Sequence, residues 1–289
     1  MKTHLRQLGQ LLGTLSTVVC AAQIGAQIRV EPLEVATNGG TARGWVATVD
    51  LTSPAVAVET LVRPSKTAAA ADLVSPELWL REDNDLQLVV NANYFGSKSD
   101  GTATIVGVCV ADGAVVTPTR SFDGVNDPVL TIDRDGVASI GHVGLDDLST
   151  VQTAVAGVGG STTSDVAGSL LVGEGQNLGD SARVQPLARH PRTAIGTSED
   201  GTELFFVVVD GRQDDWSVGV TLPELADVLI ERGVWDAVNL DGGGSSALIW
   251  RDENETRGNR PSDGRYRPVP VSLGVRVVES ASASQADGK

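Results

Sequence analysis

The 289 residues are 41% hydrophobic and 20% charged, a globular composition long enough for one large domain. A formal net charge of −15 sets the surface against phosphate backbones and excludes general nucleic-acid binding. Thirty-three glycines and only 4% aromatic residues point to a turn-rich, strand-rich fold with a small-residue core.

The chain opens on Lys2 and Arg6, followed by an uncharged, largely apolar stretch from Leu8 to Cys20 and small residues at Ala21, Ala22 and Ala26. This pattern reads as a signal peptide over residues 1–26, with cleavage after Ala22 or Ala26, and it predicts a periplasmic or secreted protein. The stretch is short for a membrane span and lacks a stop-transfer pattern, so no membrane span is expected. Val19 is bulkier than a lipobox allows before Cys20. Removal of the leader leaves Cys109 as the sole thiol, in the apolar run Ile105-Val106-Gly107-Val108-Cys109-Val110, where a buried, unreactive cysteine is expected and no intramolecular disulfide can form.

Strands are predicted at Gly44–Leu51, Val56–Val62, Leu86–Val90, Ile105–Val110, Val129–Ile132 and Val151–Ala156. Further strands are predicted at Thr193–Thr197, Leu204–Val209, Ala237–Leu240, Ala247–Trp250 and Val269–Val277. Asp112-Gly113, Asp135-Gly136 and Asp200-Gly201 mark hairpin turns. Lys66–Leu73 reads as a weak helix. A stronger helix starts at Thr221-Leu222-Pro223-Glu224, a capping box with proline in the first turn, continues through the apolar stripe Leu222, Leu225, Ala226 and Leu229, and stops at Gly233. Glu224 is therefore read as a cap rather than a catalytic acid. The expected fold is α+β: a single domain over residues 27–278 with a mixed, strand-rich β-sheet core and few helices, followed by a disordered Ser/Ala-rich tail over 279–289.

Three apolar strands end on a polar residue beside a tight turn. Leu88-Val89-Val90 runs into Asn91-Ala92-Asn93, Phe205–Val209 into Asp210-Gly211-Arg212, and Ala237–Leu240 into Asp241-Gly242-Gly243-Gly244-Ser245-Ser246. If these strands are neighbours, Asn91, Asp210, Arg212 and Asp241 share one cleft at the strand ends. Three successive glycines let backbone N–H groups turn into one concavity, an anion nest, and the spacing is not that of a P-loop. Arg192, in His190-Pro191-Arg192-Thr193, is placed to hold a phosphate with both ends of its guanidinium, while His190 alone reads as structural.

Taken together and in order, Asn91–Phe95, Ser169–Gly173, His190–Gly196, Val207–Arg212, Gly219–Ala226, Asn239–Ser246 and Asn259–Ser262 with Arg267 resemble the phosphodiester glycosidase family. The resemblance covers roughly residues 85–278 and matches little of the N-terminal third. It implies hydrolysis of the glycosidic bond of a sugar-1-phosphodiester, of the N-acetylglucosamine-1-phosphodiester kind, on an exported polysaccharide or cell-envelope glycan. It leaves the sugar open.

The leaving group of such a reaction is a phosphate monoester with a second pKa of about 6, so little proton donation is needed. One carboxylate and an anion clamp then suffice in place of two carboxyl groups. Asp241 or Asp210 is the expected base or nucleophile, and the sequence does not choose between them. Arg192, Arg212 and the residues Gly242, Gly243, Gly244, Ser245 and Ser246 are expected to hold the phosphate; Asn91 and Asn93 are expected to bind the sugar. Two rivals remain open at this point: a non-catalytic binder of glycans or sugar phosphates, and a serine hydrolase using Ser245, although no histidine follows Ser245. No cofactor and no zinc site are expected, and the acidic loops Asp146-Asp147 and Asp214-Asp215 allow at most weak Ca2+ binding.

Overall fold

The computed structural model describes residues 22–24, 26–66, 70–117, 127–143, 145–157, 170–181, 184–253 and 255–278. Residues 1–21 of the expected leader, Ser169 and the 279–289 tail lie outside them. Ala22–Ile24, read from the sequence as the end of the leader, pairs as an edge strand with Ile28–Val30.

An eight-stranded sheet organises the molecule, in the order Ala22–Ile24, Ile28–Thr37, Gly40–Asp50, Glu203–Val209, Arg192–Thr197, Asp236–Asn239, Val172–Gly173 and Gln176–Asn177. A five-stranded sheet holds Glu255–Gly258, Leu248–Asp252, Leu86–Asn91, Val271–Val277 and Val56–Val62. A second five-stranded sheet holds Ala114–Thr117, Cys109–Ala111, Val151–Ala156, Val129–Asp133 and Ala138–Gly141. A three-stranded sheet joins Ala70–Asp72, Thr102–Ile105 and Phe95–Ser97. The strand-rich expectation with few helices holds, since the described residues contain only two α-helices, Pro76–Glu82 and Leu222–Ile230.

The expected mixed sheet is corrected: every described ladder is antiparallel. Parallel neighbours need a crossover of a dozen or more residues, usually helical, and two helices of seven and nine residues do not supply such crossovers. The expected helix at Lys66–Leu73 is also overturned where it is described. Ala70–Asp72 pairs with Thr102–Thr104, and burial of Ala70 and Ala71 in that ladder overrides the helix propensity of alanine. The predicted strand Ile105–Val110 breaks at Gly107, whose φ of +77° turns the chain from one sheet into another.

The central strand shows how pattern becomes layering. In Phe205-Phe206-Val207-Val208-Val209 alternate side chains face opposite sides. Phe206 and Val208 join the large core shared with Leu88, Val90, Leu248, Trp250 and Leu273, so this face packs on the other sheets. Phe205, Val207 and Val209 meet Leu222, Leu225, Ala226 and Leu229 of the second helix. Burial on both faces explains the unbroken apolar run. The helix begins as expected: the Glu224 amide donates to Thr221 Oγ1 (3.3 Å), and the Thr221 amide donates to Glu224 Oε2 (2.9 Å). Cys109 is buried in the large core, and burial pushes its thiol up to about 12. Among the described residues no helix is long and apolar enough to cross a membrane.

Candidate active site

Glu203–Val209 and Asp236–Asn239 each pair antiparallel with Arg192–Thr197, so these two outer strands run the same way and end together beside the start of the middle one. Arg192 lies opposite Val209 and Ala194 opposite Asn239. Asp210, Asp241 and Arg192 therefore gather at one edge of the sheet. Leu86–Asn91 belongs to the neighbouring five-stranded sheet and is stapled on at this edge. Asn91 Nδ2 donates to the Asp241 carbonyl (2.6 Å), while Asn91 Oδ1 accepts from Thr193 Oγ1 (2.9 Å) and the Ala247 amide (2.9 Å).

A cavity of about 260 Å³ opens there, lined by Tyr94, Val184, Gln185, His190, Arg192, Arg212, Asp241, Gly242–Gly244 and Arg267. Three arginines and one carboxylate around so small a space make a local positive field on a chain of net charge −15. Among the described residues Asp241 is its only aspartate or glutamate. Burial, opposed by the Ser245 side chain, the Arg267 charge and the Gly242 amide, raises the Asp241 carboxyl to about 6.

The two expected catalytic aspartates separate here. Asp210 is 1% exposed and absent from the cavity wall. Its carboxylate accepts from Trp216 Nε1 (2.9 Å), Asn259 Nδ2 (2.8 Å) and the Arg260 amide (3.1 Å), tying the 210–217 turn to the 259–260 segment. In this arrangement Asp210 braces the turn, with hydrogen bonds on both carboxylate oxygens. Asn91 and Asn93, expected on the sugar, are 0% and 1% exposed, and Asn93 donates to the carbonyls of Val106 and Val108. Both hold strands together rather than facing the cavity.

The glycine segment also differs from an open nest. The amides of Gly243, Ser245 and Ser246 close on the carbonyls of Pro191, Gly242 and Gly243 in a 3₁₀ turn, and the Gly242 amide serves Asp241. The glycines are needed for close approach instead. Gly243 has φ +62°, and a Cβ there would stand 3.1 Å from the Arg212 guanidinium; a Cβ at Gly244 would stand 2.1 Å from that of Arg267. Ser245 and Ser246 are buried, and Ser245 engages Asp241 and accepts from Arg267 Nη1 (3.4 Å). No nucleophilic serine–histidine pair forms at the cavity, because its histidine, His190, contacts Gln185 and Arg212.

Arg192 reaches the cavity but its guanidinium is largely occupied. It donates to the carbonyls of Val184 (3.0 Å), Gln185 (2.8 Å), Ala188 (2.9 Å) and Val220 (3.4 Å), and so holds the 184–188 wall in place. That leaves no free fork for a phosphate. Arg192→Ala takes a donor from four carbonyls, of which Gln185 and Val220 keep a backbone N–H and Val184 and Ala188 do not, and unfolding by urea is expected to show a loss of roughly 1–3 kcal/mol with faster proteolysis within 184–188. Arg212 is exposed, has φ +59°, and makes no ion pair with a described carboxylate. Its Nη2 lies 3.3 Å from His190 Nδ1, which must accept, so the Nε2–H of a neutral imidazole donates to Gln185. Burial foremost, then the charges of Arg192 and Arg212, lower the His190 pKa and keep it neutral. Arg267 is held by Asp263 through Nε (3.0 Å) and Nη2 (2.6 Å).

Tyr94, His190, Gln185 and Arg267 thus join the cavity beyond the residues chosen from the sequence. Tyr94 stood three residues after Asn91 in a segment already singled out; only the path of the chain reveals which of its polar groups faces inward. Among the described residues no group of three His, Cys, Asp or Glu side chains is placed to hold a metal ion. Asp215 of the acidic pair pairs with Arg260 at 3.2 Å.

A family model described as phosphodiester glycosidase matches residues 84–276, two-thirds of the chain and all of the cavity's lining. The chain belongs to the phosphodiester glycosidase family. Relatives of the chain include the mouse N-acetylglucosamine-1-phosphodiester alpha-N-acetylglucosaminidase, 28% identical over 171 residues, covering 56% of this chain and 31% of the mouse protein. The human protein of that name is 28% identical over 190 residues, 62% of this chain and 34% of its own length. The chain therefore spans about a third of the length of these curated relatives. The zebrafish catalytic domain of that name, solved auto-inhibited by its pro-peptide, superposes with a TM-score of 0.65 at 19% identity, over 90% of this chain and 87% of the zebrafish one, and so shares the fold.

Proposed function

We propose that the protein hydrolyses the glycosidic bond of a sugar-1-phosphodiester, with Asp241 as the base or nucleophile at the anomeric carbon. The observation that carries this reading is a lone, proton-hungry carboxylate facing arginines in one small cavity. A plain anion-binding site gains nothing from a carboxylate among its cations, so a non-catalytic binder fits less well. The phosphate monoester leaves as a stable anion, and a second carboxyl acid is not required. Arg212, with no carboxylate partner among the described residues, takes up the charge that develops on the departing phosphate, supported by Arg267. The names of the curated relatives support an N-acetylglucosamine-like sugar. The uncharged apolar stretch after Lys2 and Arg6, read as a leader, supports a substrate outside the cytoplasm, on an exported polysaccharide or envelope glycan.

The test is an assay of N-acetylglucosamine-1-phosphate methyl diester with release of free sugar. Arg212→Ala is expected to weaken kcat/KM by roughly 10- to 100-fold, the worth of a charge-assisted hydrogen bond. An unchanged kcat/KM in that variant would remove Arg212 from the phosphate site.

A further inference from the structure

Tyr94 lies on the cavity wall with its phenol in an unusual setting. Its oxygen accepts from Asn239 Nδ2 at 2.8 Å, and no described residue accepts the phenolic hydrogen. Asn239 is 2% exposed, and its Oδ1 has no partner among the described residues. The side-chain amide of Asn239 thus has one visible use, to hold the Tyr94 oxygen from behind and leave the O–H to point elsewhere. Burial first, and the Asp241 charge second, push the Tyr94 pKa well above its ordinary value, so the group is a donor at any working pH.

The cavity is also polarised. Arg212 is exposed and the Arg267 side chain is 42% exposed, whereas the buried Arg192 guanidinium is committed to backbone carbonyls, so the positive groups open to a ligand sit at the mouth. Tyr94 and Asp241 lie deeper and within electrostatic reach of one another. A phosphate driven to the floor would meet the Asp241 carboxylate as a like charge. The arrangement puts the anion at the mouth and the neutral sugar between Asp241 and Tyr94.

On that reading of the reaction, we propose that Tyr94, positioned by Asn239, is the specificity-determining donor to the substituent at C2 of the sugar, a hydroxyl or acylamino oxygen next to the reacting carbon. C2 is the position that brings an acceptor beside a carbon already facing Asp241. That hydrogen bond orients the ring against Asp241 and is read as binding in kcat/KM.

The experiment compares wild type and Tyr94→Phe on two substrates, the methyl phosphodiesters of N-acetylglucosamine 1-phosphate and of 2-deoxyglucose 1-phosphate, with thermal unfolding of both proteins. Tyr94→Phe is expected to lose roughly 10- to 100-fold in kcat/KM on the first substrate and about threefold or less on the second. Equal losses on both substrates, or no loss on the first, would overturn the assignment. Absence of wild-type turnover on either diester would instead sink the underlying hydrolase reading, and Tyr94's role with it.

Discussion

Asp241→Asn is expected to lose at least about 100-fold in kcat and yet to be more stable than wild type above pH 6. The two effects share one cause. Burial foremost raises the carboxyl from its ordinary 3.8 to about 6, against the Ser245 side chain, Arg267 and the Gly242 amide. The folded protein therefore holds this proton more tightly than the unfolded chain does. The stabilisation is complete below about pH 4 and is lost as pH rises through about 6. Ionised Asp241 then costs roughly 3 kcal/mol at 1.36 kcal/mol per pH unit, and a neutral amide removes that cost. Urea unfolding at pH 5 and pH 8 is expected to show the gap between variant and wild type widening with pH. As a base, Asp241 also predicts that wild-type kcat/KM climbs through an apparent pKa near 6.

Asp210→Ala is expected to do the opposite to stability. It leaves Trp216 Nε1, Asn259 Nδ2 and the Arg260 amide without their acceptor in a buried place. The loss is roughly 3–5 kcal/mol, or about 10 °C in Tm for a chain of this length. Activity falls with it, because the turn that Asp210 anchors carries Arg212. Calorimetry on the two aspartate variants separates the brace from the chemistry: Asp210→Ala melts early, while Asp241→Asn does not. A wild-type melting profile for Asp210→Ala would contradict its role as a brace.

Much of the frame is legible in the residues. The apolar run Phe205–Val209, the Asp-Gly turns and the Thr221–Glu224 capping box are local signals, and each is found where local chemistry puts it. Ile28–Thr37, absent from the expected strands, buries Ile28, Val30 and Leu33, and Pro32 and the charged residues among them blur its pattern. What periodicity does not carry is partnership. Asp210 and Asp241 end similar strands before similar glycines. Only the meeting of Asp210 with Trp216 and Asn259 decides that one is enclosed and the other faces a cavity. Arg192 gives the same lesson: its guanidinium is consumed by carbonyls of a wall that lies four to eight residues earlier, a turn that composition does not foretell. The antiparallel pairing of every sheet is likewise a property of chain path rather than of any single strand.

The account rests on Asp241 facing the sugar carbon while the phosphate lies on the arginines. Hydrolysis of the methyl diester of N-acetylglucosamine 1-phosphate in 18O-water, read by mass spectrometry of both products, tests this directly. Oxygen-18 in the released sugar is the predicted result, because water then replaces the phosphate at C1. Oxygen-18 in the phosphate would mean attack at phosphorus and would contradict the account.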